Sequence, residues 1–204
     1  TITGYTPPIA DGSITSAKIA NGAVGTTHLA ANSVTHAKTT GLQRRISTTV
    51  TLPAANSITH NITTGTKKIE ILVSNVSSAN NSNLHILLGD SGGLETSGYG
   101  HAMGFHRTGV SNREGTVSTS TAAFSTYGLD SSSYQIWGTW KLWNPTGNTW
   151  IAEHIFWGSA ADNHTFYGNG YKTLSGTMTQ FNLACTSGNF DSGFLTIVET
   201  MGDD

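Results

Sequence analysis

Residues 134–157, YQIWGTWKLWNPTGNTWIAEHIFW, decide the fold class of this 204-residue chain. They read as two strands joined by a turn. The turn is Asn144-Pro145-Thr146-Gly147-Asn148, where Pro145 fixes φ and Gly147 permits φ > 0. Side chains alternate across a strand, so each arm sorts its residues into two faces. On the outward arm, Ile136, Trp140 and Leu142 fall on one face and Trp137, Lys141 and Trp143 on the other. On the return arm, Ile151 and Ile155 alternate with Trp150, Ala152 and Phe156. Large aromatics on both faces imply that one face packs into a core. The other face then meets a neighbouring subunit or a ligand.

The same grammar extends outward from the hairpin. Short apolar or alternating runs recur between clusters of Gly, Asn and Ser: ISTTVTL, SITHNI, KKIEILVSNV, NLHILLG, HTFYGNGYKTL, TMTQFNLAC and GFLTIVE. With the two arms of the hairpin they make about nine strands, and no long amphipathic helix interrupts them. The expected fold is all-β, a jelly-roll-like β-sandwich head over residues 46–204. A stretch of this length can bury a sizeable core.

Composition agrees with a turn-rich β protein. Charged residues are 11% of the chain, against roughly 25% in an average soluble protein. Ser and Thr fill the gap, and there are 24 Gly and 4 Pro. The net charge is -2, with no clustered basic patch of the kind nucleic acid requires. A surface of hydroxyls and amides suits neutral polar ligands such as glycans. No apolar run approaches the roughly 20 residues of a membrane-spanning helix, so no membrane insertion is expected. Cys185 has no second cysteine to pair with and reads as a small core residue. The chain begins at Thr1 without Met and shows no signal peptide, which fits a fragment whose anchoring region precedes it.

Residues 11–40 follow a different rule. They align on themselves as DGSITSAKIA, NGAVGTTHLA and ANSVTHAKTT. Larger apolar residues recur every five positions, at Ile9, Ile14, Ile19, Val24, Leu29 and Val34. That period is neither helical nor strand-like, and it is not a heptad. One such unit cannot bury its two anchors alone, so the repeats must stack or pack against other chains. A thin stalk and neck of several identical chains is expected over residues 1–45.

Three segments then share one likeness. DGSITSAKIANGAVGTTHLA resembles the short collar repeat of bacteriophage tail fibres and related virion appendages. LGDSGGLETSGYG resembles a segment in the C-terminal heads of many such fibres, and GNFDSGFLTIVE resembles their closing strand. The resemblance implies a parallel homotrimer around a threefold axis, carried on the virion. It implies attachment to other tail or capsid proteins through the N-terminal region and to a bacterial surface glycan or receptor through the head. The third repeat has drifted, with Ala31-Asn32 in place of Asp-Gly, so the stalk is expected to end there.

Gly89-Asp90-Ser91-Gly92-Gly93 has the look of a serine-protease nucleophile loop, but a triad needs a histidine far upstream in the family's chain order. His60 lies only about 30 residues away in an unrelated context, and Leu94 stands where Pro usually follows. A GDS-type esterase would need helices alternating with strands and a late Asp-x-x-His. Asp162-Asn163-His164 has the wrong spacing. Gly92-Gly93 therefore reads as a turn. The carboxylates Asp90, Glu95, Glu114, Asp130, Glu153, Asp162 and Asp191 form no recognisable pair for glycoside hydrolysis. The 8 His have no metal-ligand spacing, although a threefold axis could gather copies of His28 or His36.

The expected function is host attachment without enzymatic activity, cofactor or metal. The alternatives are a purely structural fibre or capsid decoration, and a polysaccharide depolymerase. The ligand-contact candidates are Tyr99, His101, His106 and Arg107 in GYGHAMGFHRTG, read as a loop, and Trp143, Asn144, Asn148 and Trp150 at the hairpin tip.

Overall fold

The computed structural model describes residues 45–107, 114–126, 134–159 and 164–202. All of them belong to one unit, Gln43–Asp204. The stalk positions Ile9, Ile14, Ile19, Val24, Leu29 and Val34 lie outside the described residues.

The described chain is all-β, with no helix. Its strands are β1 (Arg45–Thr51), β2 (Ser57–Asn61), β3 (Thr66–Ser78), β4 (Leu84–Asp90), β5 (Gly93–Leu94), β6 (Tyr99–Arg107), β7 (Glu114–Thr121), β8 (Phe124–Ser125), β9 (Gln135–Thr146), β10 (Thr149–Ser159), β11 (His164–Thr173), β12 (Gln180–Cys185) and β13 (Phe190–Met201). They form two antiparallel sheets. One has eight strands in the order β1-β13-β3-β9-β10-β11-β6-β7. The other has the order β2-β12-β4-β5, with β8 also paired to β4.

The core draws on both sheets. From the larger come Ile69 and Ile71 of β3, Trp140 and Leu142 of β9, Phe156 of β10 and Ile197 of β13. From the smaller come Ile86 and Leu88 of β4 with Phe181 and Leu183 of β12. The hairpin sorts its faces as its alternation requires. Ile136, Trp140, Leu142, Trp150, Ala152 and Phe156 are buried, while Trp137, Lys141, Trp143 and Ile151 are half-buried and Ile155 is exposed. Trp140, only 1% exposed, is the largest fully buried side chain. Truncating such a residue to Ala would cost about 3–5 kcal/mol. Cys185 is buried in the same core.

Four strands, β5 to β8, depart from the sequence expectation. Residues 99–107, read as a loop, are strand β6 in the middle of a sheet, paired with β11 on one side and β7 on the other. Strand β7 and the short strands β5 and β8 were also unforeseen. By contrast, the turn reading of Gly89–Gly93 holds. β4 runs to Asp90, Ser91 and Gly92 turn, and β5 pairs straight back, Asp90 opposite Gly93. Gly93 has φ +112°, which a side chain at that position would oppose.

Candidate functional site

The structure separates the eight ligand-contact candidates. Tyr99, His101 and Trp150 are core residues, at 0%, 7% and 3% exposure. Each lies on the inward side of its strand, so none is available to an external ligand. Trp143 and the exposed His106 point to the outer side of the eight-stranded sheet. Arg107 closes β6. Asn144 and Asn148 sit at the hairpin tip, but the Asn144 side chain is committed to the turn. Its Nδ2 donates to the carbonyls of Gly147 and Thr149, both at 2.8 Å.

The register of the large sheet lays its outer face out in rows. One row runs Lys68, Trp143, Ile151, Tyr171 and Gly100 across β3, β9, β10, β11 and β6. The next runs Glu70, Lys141, Glu153, Asn169 and Ala102, and the third runs Leu72, Thr139, Ile155, Tyr167 and Gly104. Beyond these, Trp137 and Trp157 pair at 5.2 Å between ring centroids. Seven large apolar side chains are exposed among the described residues, and six of them are on this face: Leu72, Ile155, Trp157, Tyr167, Tyr171 and Phe194. Leu94 is the exception. Between Ile155, Tyr167, Thr139, Glu153 and Asn169 the face dips into a depression of about 330 Å3.

Tyr167 and Tyr171 are seated in a specific way. A Cβ built on Gly104 would lie 3.0–3.1 Å from three atoms of the Tyr167 side chain. One built on Gly100 would lie 2.9 Å from Tyr171 Cε1. Each tyrosine thus leans across to β6 and rests on glycine backbone, where any side chain would displace it. The opposite side of each ring stays in solvent, with 43% and 59% of the two residues exposed. Neither tyrosine figured among the sequence candidates. The signal for them was present in "FYGNGYK": Tyr167, Asn169 and Tyr171 share strand parity, and Gly168 and Gly170 occupy the other face.

The LGDSGGLETSGYG segment has a different role. Glu95 Oε2 pairs with the buried Lys172 Nζ at 2.5 Å, and Oε1 accepts from Ser175 N and Oγ at 2.6 and 2.8 Å. Asp90 Oδ2 accepts from the same Ser175 hydroxyl at 2.7 Å, and its Oδ1 accepts from Gly92 N. Tyr99 Oη accepts a hydrogen bond from Leu88 N at 2.7 Å and donates one to the carbonyl of Glu95 at 2.9 Å. Lys172 Nζ also lies 5.3 Å from the Tyr99 ring centroid. These bonds fasten the β4–β5 turn to β11 and to the segment that follows it. The Lys172 ammonium and the Ser175 N–H hold the Glu95 carboxyl down at about 2. The Ser175 hydroxyl and Gly92 N–H lower that of Asp90. Burial pushes the Tyr99 phenol up to about 12. Sequence spacing did not reveal that Asp90 and Glu95 meet at Ser175, because the bridging residue lies 80 positions away from Glu95.

On the inner face, His154 packs 4.3 Å from the Trp140 ring and stacks on Phe156 at 5.6 Å. Its two ring nitrogens and Trp140 Nε1 make no hydrogen bond to described protein atoms. Burial, with His101 adding to it, pulls the His154 imidazole down to about 3. No set of three or more His, Cys, Asp or Glu among the described residues is placed to hold a metal ion. Comparison with known families, curated proteins and solved structures returned no match.

Proposed function

We propose that this chain is a fibre protein of a bacteriophage virion, whose head attaches to the host cell surface through the outer face of its eight-stranded sheet. The observation that carries this reading is the gathering of six exposed large apolar side chains on that one face. Scattered exposed hydrophobics need no explanation, but large ones gathered on one sheet face, in rows on either side of a polar row, mark an interaction surface. The resemblance of the repeat region and of two head segments to tail fibres supplies the biological setting. In this reading residues 1–45 form a trimeric stalk held by the five-residue apolar period, and the N-terminal region meets other virion proteins. The head is jelly-roll-like, a reading supported by the way the chain passes repeatedly from one sheet to the other. Three copies of one weak site give avidity without any site being strong.

The chain is read as a binding protein and not as an enzyme. The carboxylates that the fold brings together, Asp90 and Glu95, are both pulled toward the ionised form and consumed by hydrogen bonds. A glycosidase pair needs one carboxyl kept protonated as general acid. Ser91 stands exposed at its turn, and among the described residues no histidine bonds to it.

The test is adsorption of the labelled intact chain to a panel of bacterial isolates, with its mass measured under native conditions. Saturable binding to some isolates by a trimer is expected. A monomer, or failure to bind any isolate at high avidity, overturns the reading.

A further inference from the structure

Resting on that reading, we infer that Tyr167, Asn169 and Tyr171 of β11, with Glu153 beside them, form a subsite for a neutral oligosaccharide. Three features of the face select this ligand. The first is the seating of the rings. Because Gly104 and Gly100 back them, the two tyrosines are held in place before a ligand arrives, and little side-chain freedom is lost on binding. Their solvent sides offer an apolar surface of the kind on which the C–H face of a pyranose stacks.

The second feature is what lies between the rings. Asn169 is exposed and shares their face, two residues from each. Its amide both donates and accepts, which matches the vicinal hydroxyls of a sugar. Glu153 stands opposite Asn169 in register and lines the same depression. The tyrosines stand four positions apart on the strand, about 13 Å at the usual rise. That span exceeds one sugar ring, so the ligand is an oligosaccharide laid along β11, with rings on the tyrosines and hydroxyls over the amide.

The third feature is charge. The row crossing the subsite carries Glu70, Lys141 and Glu153, and these are already paired. Lys141 Nζ bonds Glu153 Oε1 at 3.1 Å, and Glu70 is met by Lys68 at 3.1 Å and Arg45 at 3.2 Å. No unpaired cation is set among the described residues of the subsite to receive a uronate, sialate or phosphate. An acidic glycan would have to break the Lys141–Glu153 pair and would meet the Glu153 carboxylate. The subsite, where Lys141 and Glu153 offset one another, complements an uncharged polyol.

The experiment uses the intact chain on an array of neutral hexose and N-acetylhexosamine oligosaccharides beside uronate- and sialate-containing ones. Binding to neutral members is expected, with little change between low and moderate salt. Tyr171→Ala and Tyr167→Ala should each weaken it roughly three- to tenfold. Tyr171→Phe should keep most of it, since the ring and not the hydroxyl carries the contact. Asn169→Ala is a second variant, exposed and free of core packing, and should weaken binding if the aromatic variants fold poorly. Preference for acidic glycans overturns the inference. So does binding to cells with no glycan bound, which would leave the attachment reading standing and point to a protein receptor. A change of oligomeric mass in Tyr171→Ala would instead make the face a contact between copies of this chain. Failure to bind both cells and glycans defeats the two readings together.

Discussion

His154 is the side chain whose chemistry is most at odds with its surroundings. Buried between Trp140 and Phe156, it keeps its imidazole neutral down to a pH of about 3, against 6.5 when solvated. Below pH 6.5 the unfolded chain takes up a proton that the folded chain refuses. Stability therefore falls as pH drops from 6.5 toward 3, by an amount on the order of a few kcal/mol, and this contribution flattens below pH 3. Thermal melts across that range should show the slope, and His154→Leu should reduce it, the remainder coming in part from His85 and His101, whose imidazoles burial also lowers. An unchanged slope would place the acid sensitivity elsewhere. Glu95 acts in a lower window. Its depressed carboxyl contributes stability that is fully present above pH 4.5 and is lost as pH falls through about 2. Glu95→Gln should lower the melting temperature by several degrees at pH 7, because Lys172 is left buried and unpaired. Ser91→Ala should leave it within a degree or so, since Ser91 is exposed at the turn. Equal effects of the two substitutions would contradict the assignment of the motif to structural fastening.

At the scale of elements, the pairing of β6 with β11 is where sequence and structure part company. The alternation of the 134–157 hairpin is strong because each arm carries bulky residues of both parities, and its faces are readable directly. β6 carries Gly100, Ala102 and Gly104 on its outer side, so the run has the glycine-rich composition of a loop although Tyr99, His101, Met103 and Phe105 share one parity. The reason is tertiary: those positions must be small to accept Tyr171 and Tyr167. The same misreading placed Tyr99 and His101 at a surface. Trp150 is a different case. Its parity with Ala152 and Phe156 was visible, and following it would have put Trp150 in the core. Gly104→Val tests the element. It should push Tyr167 off its seat, cost about 1–3 kcal/mol through overpacking, and weaken adsorption to cells. If it leaves both stability and adsorption intact, the glycine backing has no role.

At the scale of the whole molecule, the described chain divides its labour between two faces of one sheet. The inner face, with the five-stranded sheet, makes the core that the hydrophobic pattern announces. The outer face combines exposed aromatics with paired charges and amides, and its rows draw on the consecutive β9, β10 and β11 together with β3 and β6, which are distant from them in sequence. That assembly was not legible before the register was known, although the all-β class and most of the strands were. The proposed function rests on this outer face meeting the host. Ile155, 59% exposed at its middle, is the place to break it. Adsorption of the intact Ile155→Arg chain should be measured against wild type and against Asn61→Arg on the exposed side of β2. Ile155→Arg should lose adsorption with its melting temperature unchanged, while Asn61→Arg should bind normally. Retained adsorption by a well-folded Ile155→Arg chain would contradict it.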